Sequence, residues 1–208
     1  DIVVLYTNDV HCGIDDNIGY QGLALVKETL EEQGKEVILA DAGDAIQGGT
    51  IGTLSKGEYI VDIMNELGYD VATPGNHEFD YGMEQFLKLV KDAKFDYVSA
   101  NFYDKDGKTV LDPYTVIEKA GVKIAFVGIS TPRTLTSSTP KYFQNDDGEW
   151  IYSFGQDETG ETVYTAVQEA VDAARKDGAD YVIALAHLGI EADCSPWTSS
   201  DIITNTTG

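Results

Sequence analysis

Short apolar runs alternate along the chain with longer stretches in which apolar residues recur every three or four positions. The short, β-branched runs predict buried strands, and the longer stretches predict helices. Predicted strands lie at 2–7, 37–40, 71–73, 97–101, 124–129 and 181–186, and predicted helices at 23–30, 60–67, 83–90 and 163–174. Because strands and helices alternate, we expect an α/β fold with largely parallel strands covered by helices.

Three stretches depart from this alternation. A glycine-rich stretch from Gly43 to Gly52 is expected to be a turn, and Asp106-Gly107 suggests a hairpin. The segment 131–160 is rich in Ser, Thr and Asp, yet it contains five aromatic residues: Tyr142, Phe143, Trp150, Tyr152 and Phe154. This segment is either a surface insertion held down by its aromatics or a loop that borders a substrate cleft, as long loops often do.

Composition excludes several classes of partner. The 208 residues include 14 Lys or Arg against 36 Asp or Glu, so the formal charge is −22. Such a surface repels phosphate backbones, which excludes a nucleic-acid duplex as a partner. No apolar run approaches the roughly 20 residues of a transmembrane helix. Cys12 and Cys194 form either one disulfide or two free thiols, and they leave the compartment open.

Polar residues that can bind metal ions recur directly after the predicted strands. The set consists of Asp9, His11, Asp44, Asn76, His77 and His187. It includes all three histidines of the chain. The carboxyl ends of parallel strands face one crevice, and ligands bind there. We therefore expect these separate segments to converge on one site.

The residue types in this set suit a metal centre. Imidazole binds Zn, Fe and Mn, whereas carboxylate and amide oxygens bind harder divalent ions. A mixed set of this kind fits two ions about 3.5–4 Å apart with one bridging carboxylate. Asp44 is the natural bridge, because Gly43 lets the backbone come close. An isolated Asp-x-His is usually chance, but the whole set in this order indicates a metal site.

The motifs around these residues resemble a known family. They are T-N-D-V-H at 7–11, D-A-G-D at 41–44, G-N-H-E-F-D at 75–80 and A-H at 186–187. In this order they resemble the calcineurin-like metallophosphoesterases, and in detail the 5′-nucleotidase branch with its UDP-sugar hydrolases and 2′,3′-cyclic-nucleotide phosphodiesterases. The resemblance runs from end to end. It implies the four-layer α/β/β/α sandwich, with residues 1–208 as the N-terminal portion of the catalytic domain and its second half incomplete.

The resemblance also implies roles for individual residues. Asp9, His11 and Asp44 would hold one metal ion, and Asp44, Asn76 and His187 the other. Asn76 and His77 would contact the substrate phosphate, and His77 with Asp80 would form a catalytic dyad. A separate interpretation makes Asp80 a turn or N-cap residue before the helix at Met83. The cofactors would be two divalent ions drawn from Mn, Zn, Fe, Co and Ca.

One departure from the family pattern concerns activity. The family completes both metal shells with a G-H-x-H-type motif farther along, and the 208 residues contain no fourth histidine. The substrate-binding C-terminal domain, expected in cis, is also missing. We therefore expect the isolated chain to be inactive or weakly active, and its unpaired sheet edge to favour self-association.

The function implied is metal-dependent hydrolysis of a nucleotide or other small phosphate ester, of the 5′-nucleotidase type. The alternatives are a 2′,3′-cyclic-nucleotide phosphodiesterase, a UDP-sugar hydrolase, or a catalytically dead fragment that only folds or binds a partner. The resemblance further implies a secreted, periplasmic or cell-surface protein.

Overall fold

The computed structural model describes residues 1–208, and each predicted strand and helix has a counterpart in it, although the strand predicted at 97–101 is reduced to Asp96–Tyr97. The strands are β1 (Ile2–Thr7), β2 (Glu36–Asp41), β3 (Val71–Ala72), β4 (Asp96–Tyr97), β5 (Tyr103–Asp104), β6 (Tyr114–Lys119), β7 (Val122–Ser130), β8 (Tyr152–Ser153) and β9 (Tyr181–His187). The helices are α1 (Gly19–Glu32), α2 (Thr50–Ser55), α3 (Glu58–Leu67), α4 (Met83–Asp92), α5 (Thr134–Ser137), α6 (Glu161–Lys176) and α7 (Ser199–Asn205). Short 3₁₀ helices span His77–Phe79, Pro140–Phe143 and Ala192–Cys194.

Two main sheets organise these elements. The first has four parallel strands in the order β1-β2-β3-β4. The second has the order β6-β7-β9, with β6 antiparallel and β9 parallel to β7. A two-stranded ladder, β5-β8, lies apart from both. Strand β6 was not predicted, and helix α2 occupies part of the glycine-rich stretch expected to be a turn.

Apolar side chains fill three successive interfaces and so define four layers. Helices α1, α3 and α4 cover the first sheet through a cluster that includes Leu23, Met64 and Phe86. The two sheets face each other through a second cluster, which includes Ile38 and Phe126. Helix α6 covers the other face of the second sheet through a third cluster. The predicted α/β/β/α sandwich is therefore confirmed.

Strand β1 corrects one expectation. Its apolar sequence predicted burial on both faces, but Tyr6 is 72% exposed. The reason is position, because β1 lies at the edge of its sheet and pairs only with β2. Strand β9 is likewise an edge strand. An apolar groove of about 410 Å³ runs between β1 and β9. Self-association through such an edge stays a prediction.

The segment 131–160 contributes to the core. Phe143 and Phe154 are fully buried, and their rings lie 5.3 and 5.5 Å from the ring of Phe79. Tyr142 and Trp150 remain 37% and 48% exposed. The interpretation that aromatics hold this segment down is therefore confirmed for its two phenylalanines.

The structure also shows the state of the two cysteines and the character of the helices. Cys12 and Cys194 are both free, so the disulfide alternative is wrong. None of the helices combines the length and the apolar character needed to cross a bilayer.

Replacing Phe143 by alanine should lower the free energy of unfolding by about 3–5 kcal/mol, because it leaves a cavity beside Phe79. Tyr142→Ala is the matched control: its ring is partly exposed, and its loss should cost much less. Urea unfolding followed by circular dichroism measures both. Equal losses in the two variants would contradict the packing described for Phe143.

Candidate active site

The candidate site lies where β1, β2, β3 and β9 end. Three of its residues have left-handed backbone, with φ of 53° at Asp9, 48° at His11 and 59° at Asp44. This conformation is unfavourable for residues other than glycine. Here it is held by contacts between two loops, in which Asp9 N–H donates to Gly43 O (3.0 Å) and His11 N–H donates to Asp44 O (2.9 Å).

Asp44 stands between two imidazoles. Its Oδ2 lies 3.8 Å from Nε2 of His11 and 3.3 Å from Nε2 of His187. Asp9 Oδ1 lies 3.6 Å from the same His11 nitrogen. The ligand atoms of Asp9, His11 and Asp44 all fall within 4.8 Å of one another. The structure thus contains an Asp/His group that can hold a metal ion, with one carboxylate oxygen shared between two histidines.

Backbone carbonyls orient both imidazoles. Nδ1 of His11 donates to Gln47 O at 3.0 Å, and Nδ1 of His187 donates to Ala42 O at 2.8 Å. In the neutral rings the proton is therefore on Nδ1, and the lone pair of Nε2 faces Asp44. This is the arrangement that metal-binding histidines adopt. The donor set therefore fits a divalent ion.

The protonation of this group points in the same direction. Burial opposes charge on His187, but its hydrogen bond to Asp44 and the negative charges of Asp44 and Glu78 together outweigh burial and raise the pKa of His187 to about 9. Burial also opposes ionisation of Asp44, yet His187 and the N–H of His77 keep the pKa of that carboxyl below its usual value. The surroundings of Asp44 and His187 thus favour a positive charge between the two side chains. In the absence of a metal ion, this charge is the proton on His187.

His77 and Asp80 form a hydrogen-bonded pair. His77 Nδ1 donates to Asp80 Oδ2 at 2.6 Å, and Ser138 Oγ donates to Asp80 Oδ1 at 2.9 Å. Burial opposes charge on His77, but the hydrogen bond to Asp80 and the negative charges of the nearby carboxylates together outweigh burial and raise the pKa of His77. Helix α4 takes Gly82 as its N-cap, so the interpretation of Asp80 as that cap is wrong, whereas its interpretation as a turn residue is confirmed.

A cavity of about 330 Å³ adjoins this group. Asp9, Asn76 and His187 line it, together with Arg133 and Ser137 from the segment 131–160. The predicted site residues therefore meet in one place, as the position of each after a strand indicated. The same cavity supports the second interpretation of the segment 131–160, since it places part of that segment beside the site.

Glu78 has a structural role that the sequence pattern did not predict. Its buried carboxylate accepts from the backbone N–H groups of Asp44 (2.7 Å), Ala45 (2.8 Å) and Gly75 (2.6 Å). Burial raises the pKa of Glu78, and the N–H donors of Asp44 and Ala45 oppose that rise. The only sequence signal was its place inside G-N-H-E-F-D.

The motif G-N-H-E-F-D begins with glycine because there is no room for a side chain at Gly75. A Cβ at this position would lie 2.2 Å from Asp44 Oδ1. Any side chain there would displace the carboxylate that stands between the two imidazoles. Ser138 was also missed, because it lies in a segment without periodicity.

Comparison with known proteins gives one family. The family model described as "Bacterial capsule synthesis protein PGA_cap" matches residues 33–204. The 5′-nucleotidase of Vibrio cholerae is 31% identical over 197 residues, which are 90% of this chain and 34% of that protein. The chain belongs to the 5′-nucleotidase/calcineurin-like phosphoesterase N-terminal domain family, and by the extent of its match it falls within PGA_cap as well. The PGA_cap match begins after β1 and so leaves out Asp9 and His11.

Further relatives show how this family domain compares in sequence and fold. The 2′,3′-cyclic-nucleotide 2′-phosphodiesterase/3′-nucleotidase of Yersinia enterocolitica is 30% identical, over 93% of this chain and 32% of that protein. The crystal structure of the calcineurin-like phosphoesterase YfkN from Bacillus subtilis superposes with a TM-score of 0.78 at 29% identity, over 99% of this chain and 68% of that one. The chain spans about a third of the length of these curated relatives.

Replacing Glu78 by alanine should lower the free energy of unfolding by more than about 3 kcal/mol, because each buried N–H left without an acceptor costs about 1–3 kcal/mol. Glu84→Ala is the matched control, since Glu84 is exposed on α4. Urea unfolding measures both variants. A Glu78→Ala chain as stable as the control would show that this carboxylate does not hold the loops together.

Proposed function

We propose that this chain is the N-terminal portion of a catalytic domain that hydrolyses phosphate esters of nucleotides with two divalent ions. The observation that carries the proposal is the position of Asp44 Oδ2 between Nε2 of His11 and Nε2 of His187. The His77–Asp80 pair beside it supplies a group able to hold and release a proton.

The proposed metal ligands divide into two sets. Asp9, His11 and Asp44 hold one ion, and Asp44, Asn76 and His187 hold the other. Mixed nitrogen and oxygen ligands accept Mn, Zn, Fe, Co or Ca in such a site. When bound, two divalent ions would supply Lewis-acid polarisation of the phosphoryl group and lower the pKa of an attacking water.

The remaining residues act on the phosphate and on the leaving oxygen. Asn76 and His77 contact the phosphoryl oxygens. His77 carries a proton on Nε2 and gives it to the leaving alkoxide, while its Nδ1–H stays bonded to Asp80. Asp80 keeps the ring oriented and stabilises its charge. Ser138 in turn fixes the Asp80 carboxylate.

The names of the relatives support the substrate class. Relatives named as 5′-nucleotidase and as 2′,3′-cyclic-nucleotide 2′-phosphodiesterase/3′-nucleotidase match this chain almost equally. We propose a 5′-nucleotide as substrate, with a cyclic nucleotide as the alternative. A further domain in cis, which these longer relatives have room for, would recognise the nucleoside. Protein UshA of Yersinia enterocolitica is a further relative at 33% identity, and we propose a location outside the cytoplasm by family.

Equilibrating the chain with Mn²⁺ and removing the excess should leave bound metal that Asp44→Asn abolishes, because that carboxylate is shared by both ligand sets. Asp62→Asn is the matched control, since Asp62 is exposed on α3. Elemental analysis measures metal per chain. Equal metal content in Asp44→Asn and wild type would contradict the proposed centre.

In a chain that also carries the remaining metal ligands and the substrate domain, replacing His77 by alanine should lower kcat by about 10²–10⁴-fold, the usual contribution of a general acid, and leave the metal content unchanged. The assay measures release of phosphate from AMP and from 2′,3′-cyclic AMP with Mn²⁺ present. Asp44→Asn gives the background rate. If the wild-type chain releases phosphate no faster than that background, it is not an enzyme by itself, and the binding-only alternative is favoured.

A further inference from the structure

The cavity beside the metal ligands has one strongly basic side chain. Arg133 lines it together with Asp9, Asn76 and His187, and no lysine or other arginine does so. The cavity volume is about 330 Å³, and Thr131 and Ser137 add hydroxyl groups to its wall. A guanidinium beside the ligands of a metal centre has no role in holding a cation. Its charge suits an anion bound in the same cavity.

The local fold explains why Arg133 lies there. It follows the carboxyl end of β7 and directly precedes α5, at the edge where the other site residues lie. Its Nη1 contacts Cys194 Sγ at 2.8 Å and approaches Asp193 Oδ2 to 3.7 Å. Both partners belong to the 3₁₀ helix that follows β9. The guanidinium therefore lies at the cavity wall beside this 3₁₀ helix.

The contacts of Arg133 leave it available to a ligand. The side chain of Asp193 is 75% exposed, and ion pairs of that kind contribute little and exchange easily. Arg175, the other arginine of the chain, is instead used within the fold, since its Nη1 donates to the carbonyls of Ala179 and Asp180. A guanidinium has five N–H donors in a fork that matches two phosphate oxygens.

The overall charge makes such a residue important. With a formal charge of −22, the chain repels a phosphate dianion at long range. Bound metal ions would attract the anion at one side of the cavity only. A guanidinium at the cavity wall can offer charge-assisted hydrogen bonds to further phosphoryl oxygens.

We propose that Arg133 binds the phosphoryl oxygens of the substrate, so that this domain provides a phosphate-binding arginine of its own. The inference rests on the proposed phosphoesterase function and extends it. It predicts that a free phosphate dianion binds to this chain without any second domain.

The test is calorimetric titration of the Mn²⁺-equilibrated chain with inorganic phosphate. Arg133→Gln should weaken phosphate binding by about 10–100-fold, the contribution of hydrogen bonds to charged groups. Arg133→Lys keeps the charge but loses the fork, so its affinity should lie between those of Arg133→Gln and wild type. Arg175→Gln, the matched control, should bind phosphate as the wild type does.

Metal content and thermal unfolding are measured on the same samples, so that loss of the ions or of the fold is seen separately. Wild-type affinity in Arg133→Gln overturns the inference. A wild-type chain that binds no Mn²⁺ contradicts the proposed function alone. The titration is then repeated on the metal-free chain, where phosphate binding that depends on Arg133 supports the inference and its absence overturns it.

Discussion

The site depends on one buried carboxylate. Glu78 accepts the backbone N–H groups of Asp44 and Ala45 after β2 and of Gly75 after β3, and thereby joins two loops that are distant in sequence. Without that acceptor these N–H groups would be buried and unpaired, a large cost against the few kcal/mol by which a domain is stable. This connection holds the loop that carries Asp44 against the loop that begins at Gly75.

Three consecutive residues link chemistry to packing. The 3₁₀ helix His77–Phe79 carries the ring that pairs with Asp80, the carboxylate that ties the loops, and the phenylalanine at the centre of the aromatic cluster. Phe143 and Phe154 pack against Phe79, so the segment 131–160 supports the 3₁₀ helix that carries His77 and Glu78. The same segment contacts the site directly through the hydrogen bond from Ser138 to Asp80. Core and site here are one connected structure.

The sequence predicted most of this arrangement, for reasons that also explain its misses. Short β-branched apolar runs located the strands, apolar periodicity located the helices, and the parallel-strand rule brought Asp9, Asp44 and His187 together. The prediction that β1 is buried on both faces was wrong, because the sequence does not show which strand lies at the edge of a sheet. The role of Glu78 was out of reach, because two of its partners, the backbone N–H groups of Asp44 and Ala45, are 34 and 33 positions away. The position of Arg133 at the cavity was not predicted, because the segment 131–160 has no apolar periodicity that would indicate its structure.

The left-handed backbone of Asp9, His11 and Asp44 has a consequence for engineering. Each such residue costs roughly 1–2 kcal/mol relative to glycine, which adopts this conformation freely. Selection for thermal stability alone would therefore favour glycine at the positions where the donor atoms are needed. A more robust version of this domain has to obtain its stability elsewhere, for example by filling the groove between β1 and β9.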